Sequence, residues 1–126
     1  MKPFIALVED NPDNRLLVHA ILEDHFEIDE YETGREALEG LRKRPPQLVL
    51  LDISLPEMDG TEVLKAMRDD EALRRIPAIA LTAHAMAGDR ERFLGLGFDH
   101  YLTKPIVDDE MLIEAIHQLL ASSGGE

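Results

Sequence analysis

Short runs of apolar residues, separated by longer polar segments, are the most regular pattern in this chain. The runs at 4–8, 48–51 and 78–81 are almost continuously hydrophobic, which is typical of parallel strands buried on both faces of a sheet. The run at 27–31 is more polar and fits an edge strand, and a fifth run lies at 100–102. The pattern therefore predicts a sheet of five short strands.

The segments between these runs carry apolar residues at helical spacing. The predicted stripes are Leu16, Leu17, Ala20 and Ile21, then Ala37, Leu38 and Leu41, then Val63, Leu64 and Met67, and finally Leu112, Ile113, Ile116, Leu119 and Leu120. Helix-start signals precede three of them: Asn11 before Pro12, Thr33 before Glu36, and Asp59 before Glu62. Strands and helices are therefore predicted to alternate along the chain.

Each connection between strands is too long for a hairpin and has the length of a helical crossover. Parallel strands with right-handed crossovers give a doubly wound α/β sheet with helices on both faces. A chain of 126 residues is sized for one domain. We predict that residues 1–121 form this domain and that the Ser-Ser-Gly-Gly-Glu segment at 122–126 is a flexible tail.

The charge balance narrows the function classes. Acidic residues outnumber basic ones 26 to 13, and the resulting net charge of −13 disfavours binding to the phosphates of nucleic acids. The absence of cysteine excludes disulfides, thiolate metal sites and cysteine nucleophiles. No apolar run approaches the roughly 20 residues of a membrane span, and the first residues lack a secretory-signal pattern. We expect a cytoplasmic protein that binds neither nucleic acid nor membrane directly.

Polar residues with catalytic potential follow four of the predicted strands. Glu9 and Asp10 follow the first strand, Asp52 follows the third, Thr82 the fourth and Lys104 the fifth. In an open parallel sheet, ligands bind beyond the carboxyl ends of the strands. Singly, each residue has an ordinary explanation as a helix cap, a strand end or a solvated loop charge. Their coincidence at equivalent strand ends predicts one shared site.

Three carboxylates in one site need a compensating charge. Two unit charges roughly 5 Å apart repel by about 3 kcal/mol at an effective dielectric near 20. The acids must therefore stay apart, one of them must be protonated, or a cation must lie among them. An oxygen-only ligand set favours Mg²⁺. Such an ion beside Lys104 suits phosphoryl transfer to Asp52, with the Thr82 hydroxyl donating to a phosphoryl oxygen.

Four segments resemble the receiver domain of bacterial two-component response regulators. They are VEDN at 8–11, LDISLPEMDG at 51–60, LTA at 81–83 and YLTKP at 101–105, in the order and spacing of that family. The resemblance covers nearly the whole chain. It implies a flavodoxin-like fold in which the five parallel strands lie in the order 2-1-3-4-5.

The resemblance also implies roles for the residues at the site. Asp52 corresponds to the phosphoacceptor, and Glu9 and Asp10 form the acidic pocket, with Glu9 at a position where Asp is frequent. Asp10, Asp52 and the main-chain carbonyl of Ser54 are implied as the Mg²⁺ ligands, beside Glu9. Lys104 is expected to pair with the phosphoryl group, and the peptide bond that follows it is expected to be cis.

Further positions match residues that couple the site to its output. Thr82 and Tyr101 correspond to a switch pair, which remodels the face made by the fourth helix, the fifth strand and the fifth helix. Ser54 and His84 occupy positions that tune the lifetime of the phosphoryl group. For His84, an exposed loop histidine is an equally good interpretation.

These residues predict a phosphorylation-dependent signalling switch. We expect it to accept a phosphoryl group from a histidine kinase or a histidine phosphotransfer protein and to signal by altered protein binding. It would catalyse only its own phosphorylation and slow dephosphorylation. A free-standing regulator is expected, although a receiver from a hybrid kinase carries the same residues.

Two other functions stay open. One is a Mg²⁺-dependent phosphohydrolase that works through an aspartyl phosphate. Asp52-Ile53-Ser54 lacks the second Asp that such enzymes place two residues on. The other is a pseudo-receiver that binds its partners without phosphate.

Overall fold

The computed structural model describes residues 2–83, 86–104 and 108–124, in which strands and helices alternate. The strands are β1 (Phe4–Val8), β2 (Glu27–Tyr31), β3 (Leu48–Asp52), β4 (Ala78–Thr82) and β5 (His100–Thr103). The helices are α1 (Pro12–Leu22), α2 (Gly34–Lys43), α3 (Gly60–Asp69), α4 (Asp89–Leu96) and α5 (Asp109–Gly124). The predicted alternation is confirmed.

The strands form one parallel sheet in the order β2-β1-β3-β4-β5. The predicted fold class and strand order are therefore both confirmed. In the register of the sheet, Asp52 pairs with Leu81 and Thr82 pairs with Thr103. The carboxyl ends of the strands consequently meet at one edge, where the candidate residues follow them.

Two apolar clusters cover the two faces of the sheet. Because side chains alternate along a strand, Ile5 and Leu7 of β1 pack with α1 and α5, while Ala6 and Val8 pack with α2, α3 and α4. Every residue of β3 is buried, as the continuous apolar run predicted. This double cover gives the site a rigid base.

The predicted helix starts are confirmed at all three positions. The Asn11 side chain accepts hydrogen bonds from the backbone N–H groups of the first turn of α1, which begins with Pro12. Thr33 caps α2 by accepting from the Glu36 N–H at 3.1 Å. Asp59 and Glu62 form a reciprocal capping box at the start of α3. Local sequence therefore determines where these helices begin.

The apolar stripe predicted for α1 was wrong in part. Leu16 is 71% exposed and Leu17 is 41% exposed, whereas Val18 and Leu22 are buried against the sheet. Val18 and Leu22 are four residues apart and lie on one face, so the helix is rotated away from the predicted stripe. Several apolar residues lie on adjacent sides of α1, and packing alone selected among them.

The last two helices add two further observations. α5 extends through Gly124, three residues into the segment predicted as a tail. α4 carries no apolar stripe in the sequence, and Phe93 is its one buried residue in the structure. Among the described residues, no helix combines the length and the apolar character needed to cross a membrane.

Candidate functional site

Three carboxylates meet beyond the ends of β1 and β3. Glu9 and Asp52 are buried, with exposed fractions of 0% and 1%, and Asp10 is exposed. One oxygen from each of the three lies within 4.8 Å of the others. Glu9 follows directly on β1 and Asp52 is the last residue of β3, so neighbouring parallel strands bring them together. The structure therefore brings together the acids that the sequence placed at separate strand ends.

Lys104 joins the two buried acids. Its Nζ lies 3.0 Å from Glu9 Oε1 and 3.1 Å from Asp52 Oδ1. The Lys104 backbone N–H donates to the Thr82 carbonyl at 2.7 Å, which continues the pairing of β4 with β5 past the strand end. The ammonium group is therefore placed by the sheet itself. Its charge compensates one of the two buried carboxylates.

Both Glu9 and Lys104 have a raised pKa in the cluster. Burial raises the pKa of Glu9 from 4.5 to about 6; the hydrogen bond from Lys104 opposes this, and the neighbouring Asp52 adds to it. Burial also lowers the pKa of Lys104, but its hydrogen bond to Glu9 and the charge of Asp52 outweigh burial, so this pKa is raised. The site therefore keeps Lys104 protonated beside Glu9, a carboxyl group that is costly to ionise.

Backbone groups orient the two buried carboxylates. The Ser54 N–H donates to Asp52 Oδ1 at 3.1 Å, and the Asn11 N–H donates to Glu9 Oε2 at 3.1 Å. Arg15 Nη1 donates to the carbonyls of Glu9 at 2.9 Å and of Asp10 at 3.2 Å. The sequence reasoning missed Arg15. The sequence does hold one indication of a special role. Arg15 is a basic residue near the N-terminus of α1, where the helix dipole disfavours positive charge.

The loop between β3 and α3 folds back tightly onto Asp52. A Cβ on Gly60 would lie 2.3 Å from the Asp52 carbonyl oxygen, and the Gly60 N–H donates to the Ile53 carbonyl at 3.0 Å. Glu57 in the same loop has φ 64°, a left-handed conformation that costs a non-glycine residue energy. Sequence reasoning missed Gly60, whose signal was a glycine at the first position of a helix.

Thr82 and Tyr101 lie on neighbouring strands but in different surroundings. Thr82 is buried at the end of β4. Tyr101 is half-buried on β5, and its ring stacks on Phe93 of α4 at 5.6 Å between centroids. Burial and the charge of Asp89 raise the pKa of Tyr101. Phe93, which sequence reasoning also missed, therefore links β5 to α4.

Two predictions lie outside the described residues. They are the role of His84 in phosphoryl lifetime and the cis peptide bond between Lys104 and Pro105.

The family model for the response regulator receiver domain matches residues 5–117 of this chain. The match covers the sheet except Phe4, all five helix starts and every residue of the acidic cluster. This chain belongs to the receiver domain family.

This receiver domain is similar to a short response regulator and to part of a long histidine kinase. The polar-differentiation response regulator DivK of Brucella ovis is 45% identical over 107 residues, which are 84% of this chain and 87% of DivK. The signal transduction histidine-protein kinase BarA of Shigella flexneri is 40% identical over 119 residues, which are 92% of this chain. That match spans only 12% of the length of BarA, so the likeness is to one part of a much longer kinase.

A solved structure shows a similar fold with a metal in its cleft. It is the receiver domain of the sensor histidine kinase PA1611 from Pseudomonas aeruginosa PAO1, described with a magnesium ion coordinated in the active site cleft. It is 33% identical, has a TM-score of 0.87, and the alignment covers 96% of this chain and 99% of that one.

The residues of this receiver domain fit a divalent cation. Glu9, Asp10 and Asp52 offer only oxygen atoms, which Mg²⁺ prefers, and they lie close enough to share one ion. Lys104 compensates a single carboxylate, so negative charge is left over at the cluster. The exposed position of Asp10 leaves one side of the cluster open to solvent. Receiver domains bind Mg²⁺ at such an acidic pocket.

Proposed function

We propose that this receiver domain is a phosphorylation-dependent signalling switch with Asp52 as its phosphoacceptor. The observation that carries the proposal is the position of Lys104 Nζ, 3.1 Å from Asp52 Oδ1 in a nearly buried pocket. An ammonium group at this place can bind an oxygen of a phosphoryl group that approaches Asp52. Receiver domains of response regulators are signalling domains rather than conventional enzymes, and the same holds for this chain.

The proposed reaction transfers a phosphoryl group to a carboxylate oxygen of Asp52. One oxygen–phosphorus bond forms to Asp52 as the phosphorus–nitrogen bond of a phosphohistidine breaks. The histidine nitrogen leaves with the electron pair and takes up a proton from water. Lys104 then exchanges its bond to Asp52 for one to the phosphoryl oxygen, while Glu9 holds it from the other side. The donor is a histidine kinase or a histidine phosphotransfer protein.

Mg²⁺ is the proposed cofactor. Glu9, Asp10, Asp52 and the Ser54 carbonyl are its proposed ligands, and the acidic cluster and the magnesium site of the PA1611 receiver domain support this. When bound, the ion would offset the negative charge of the transferring phosphoryl oxygens. The Ser54 N–H already donates to Asp52 Oδ1, so the Ser54 backbone adjoins the site.

The proposed output begins at Thr82 and Tyr101. Thr82 is buried beside the site, and Tyr101 contacts α4 through Phe93. A shift of the Thr82 hydroxyl toward a phosphoryl oxygen would leave space that the Tyr101 ring can enter. The face formed by α4, β5 and α5 would change with it and bind a downstream protein differently. Ser54 and His84 stay predictions as residues that set phosphoryl lifetime.

Mass spectrometry of the intact protein tests the chemistry directly. After incubation with Mg²⁺ and acetyl phosphate, we expect one added phosphoryl group on the wild type and none on Asp52→Asn or without Mg²⁺. Asp24→Asn changes an exposed acid away from the site and serves as the matched control, which should be phosphorylated normally.

Other results would favour the alternative functions. Steady release of phosphate with no standing adduct would support a phosphohydrolase. No adduct, together with no binding of the phosphoryl mimic beryllofluoride, would support a pseudo-receiver.

A further inference from the structure

Arg68 reaches out of α3 to two neighbouring segments. Its Nη1 donates to the carbonyls of Arg74 at 3.0 Å and Ile76 at 2.7 Å. Its Nη2 donates to the carbonyl of Gly97 at 3.0 Å and to Asp99 Oδ2 at 3.2 Å. A planar guanidinium group can serve these acceptors at once, because its N–H donors point in fixed directions. Arg68 therefore connects α3 to the segment that precedes β4 and to the C-terminal end of α4.

Gly97 is the residue at which α4 ends. It has φ 114°, which favours glycine, and its N–H closes the helix on the Leu94 carbonyl at 3.1 Å. The Gly97 carbonyl accepts from Arg68, and Asp99 Oδ2 also accepts from the Ala78 N–H at 2.9 Å. The C-terminal end of α4 is thus bound to both α3 and β4.

The N-terminal end of α4 is held differently. Its cap is Gly88, with φ 87° and no side-chain hydrogen bond to the helix. Within the part of the chain that the structure describes, a Cβ built on Gly88 meets no atom of a non-neighbouring residue within 4 Å, so its surroundings there are open. Phe93 is the one buried residue of Asp89–Leu96. A segment with little buried apolar surface has low local stability.

We propose that Arg68 is a positioning residue that fixes the C-terminal end of α4 and makes this helix a lever that turns about Gly97. The Gly88 end is the part that moves. Phe93 lies between the two ends and stacks on Tyr101, so a change at Tyr101 acts on the lever near its middle. This link to Tyr101 rests on the proposed function, whereas the anchoring by Arg68 does not.

Amide hydrogen exchange of the unphosphorylated full chain tests the anchoring. In the wild type, the Arg92 amide, which bonds to Gly88, is expected to exchange about tenfold faster than the amides of Gly97 and Phe98. Arg68→Met should accelerate exchange at Gly97 and Phe98 by about tenfold and leave amides of β3 much less changed. Arg75→Met, a change of an exposed arginine nearby, is the matched control.

Two outcomes would overturn the anchoring. One is an equal acceleration at all amides in Arg68→Met, because it would mean that Arg68 acts only on global stability. The other is unchanged exchange at Gly97 and Phe98. If Arg68→Met does not fold, Arg68→Lys takes its place, since it keeps the charge but lacks the planar fork; a smaller acceleration at the same two amides is expected.

NMR with beryllofluoride and Mg²⁺ tests the lever. In the wild type, binding of beryllofluoride should change the amide chemical shifts more at Asp89–Arg92 than at Gly97 and Phe98. In Arg68→Met, the amide shifts at both ends of α4 should change. A larger response at the Gly97 end of the wild type would overturn the lever. If no variant responds at all, the proposed phosphoryl chemistry fails, and the exchange experiment still decides the role of Arg68.

Discussion

At the scale of single residues, Glu9 and Lys104 show how burial and charge oppose each other in the site. The pair is separated by 95 positions in the sequence and by 3.0 Å in the structure. Ionising Glu9 is costly because the site is buried and Asp52 is close, even with Lys104 bound. A cation among the carboxylates would reduce that cost, which connects the electrostatics of the residue to the proposed cofactor.

The raised pKa of Glu9 predicts a pH dependence of stability in metal-free protein. Between pH 4.5 and about 6, the folded state binds more protons than the unfolded state, so the free energy of unfolding falls as pH rises. A shift of this size corresponds to about 2 kcal/mol. Urea unfolding in EDTA should therefore show wild type losing about 1.3 kcal/mol relative to Glu9→Gln between pH 4.5 and 6, and about 2 kcal/mol when the pH series extends well below and well above these two values.

The control for this measurement is Glu39→Gln, a change of an exposed carboxylate on α2 away from the site. Its difference from wild type should stay flat with pH. A flat difference for Glu9→Gln as well would show that Glu9 titrates at its ordinary pKa.

At the scale of elements, the helices differ in how strictly their backbones are held. α3 begins with a capping box and with Gly60 pressed against the Asp52 carbonyl, while α4 begins on Gly88 in open surroundings. A helix start that touches Asp52, the proposed phosphoacceptor, keeps this residue in place. A loosely held helix is better suited to respond to the acceptor.

Two glycine substitutions test this contrast. Gly60→Ala places a methyl group 2.3 Å from the Asp52 carbonyl oxygen and should destabilise the protein by about 1–3 kcal/mol. It should also slow phosphorylation by acetyl phosphate. Gly95→Ala introduces the same methyl into α4, where, among the described residues, nothing outside the helix's own backbone and the two neighbouring residues lies within 4 Å. This change should stabilise the protein by about 0.5–1 kcal/mol. Urea unfolding measures both, and equal effects would refute the close packing at Gly60.

At the scale of the whole molecule, a net charge of −13 surrounds a sheet whose site gathers three acids. Any salt screens the general repulsion among these charges. A specific site adds a further stabilisation that depends on the concentration of its own ion. The two effects are separable by comparing Mg²⁺ with sodium at matched ionic strength.

We predict that MgCl₂ raises Tm above that in NaCl of equal ionic strength. At a Mg²⁺ concentration about ten times Kd, binding contributes about 1.4 kcal/mol, or several degrees in a domain of this size. Thermal unfolding of Asp10→Asn should lose the difference, whereas Asp13→Asn, an exposed acid in the first turn of α1, should keep it. Equal Tm values in the two salts for wild type would argue against a specific site.

Several features of this protein were determined by the sequence itself. Continuous apolar runs marked β1, β3 and β4, because a strand buried on both faces has no polar side. Asn11, Thr33 and Asp59 marked the helix starts, because a cap bonds to its own first turn. The candidate acids, Thr82 and Lys104 were visible at strand ends. These signals depend on neighbours a few positions apart.

Only the tertiary structure decided the rest. The rotation of α1 onto Val18 and Leu22, the contact of Gly60 with Asp52 and the bonds of Arg68 to α4 all join residues by packing. The spacing of apolar residues did not identify the buried face of α1, because apolar residues lie on several of its sides. It gave no prediction for α4, because a single buried residue forms no stripe. A sequence pattern records which residues prefer burial; which partners they meet depends on how the helices settle on the sheet.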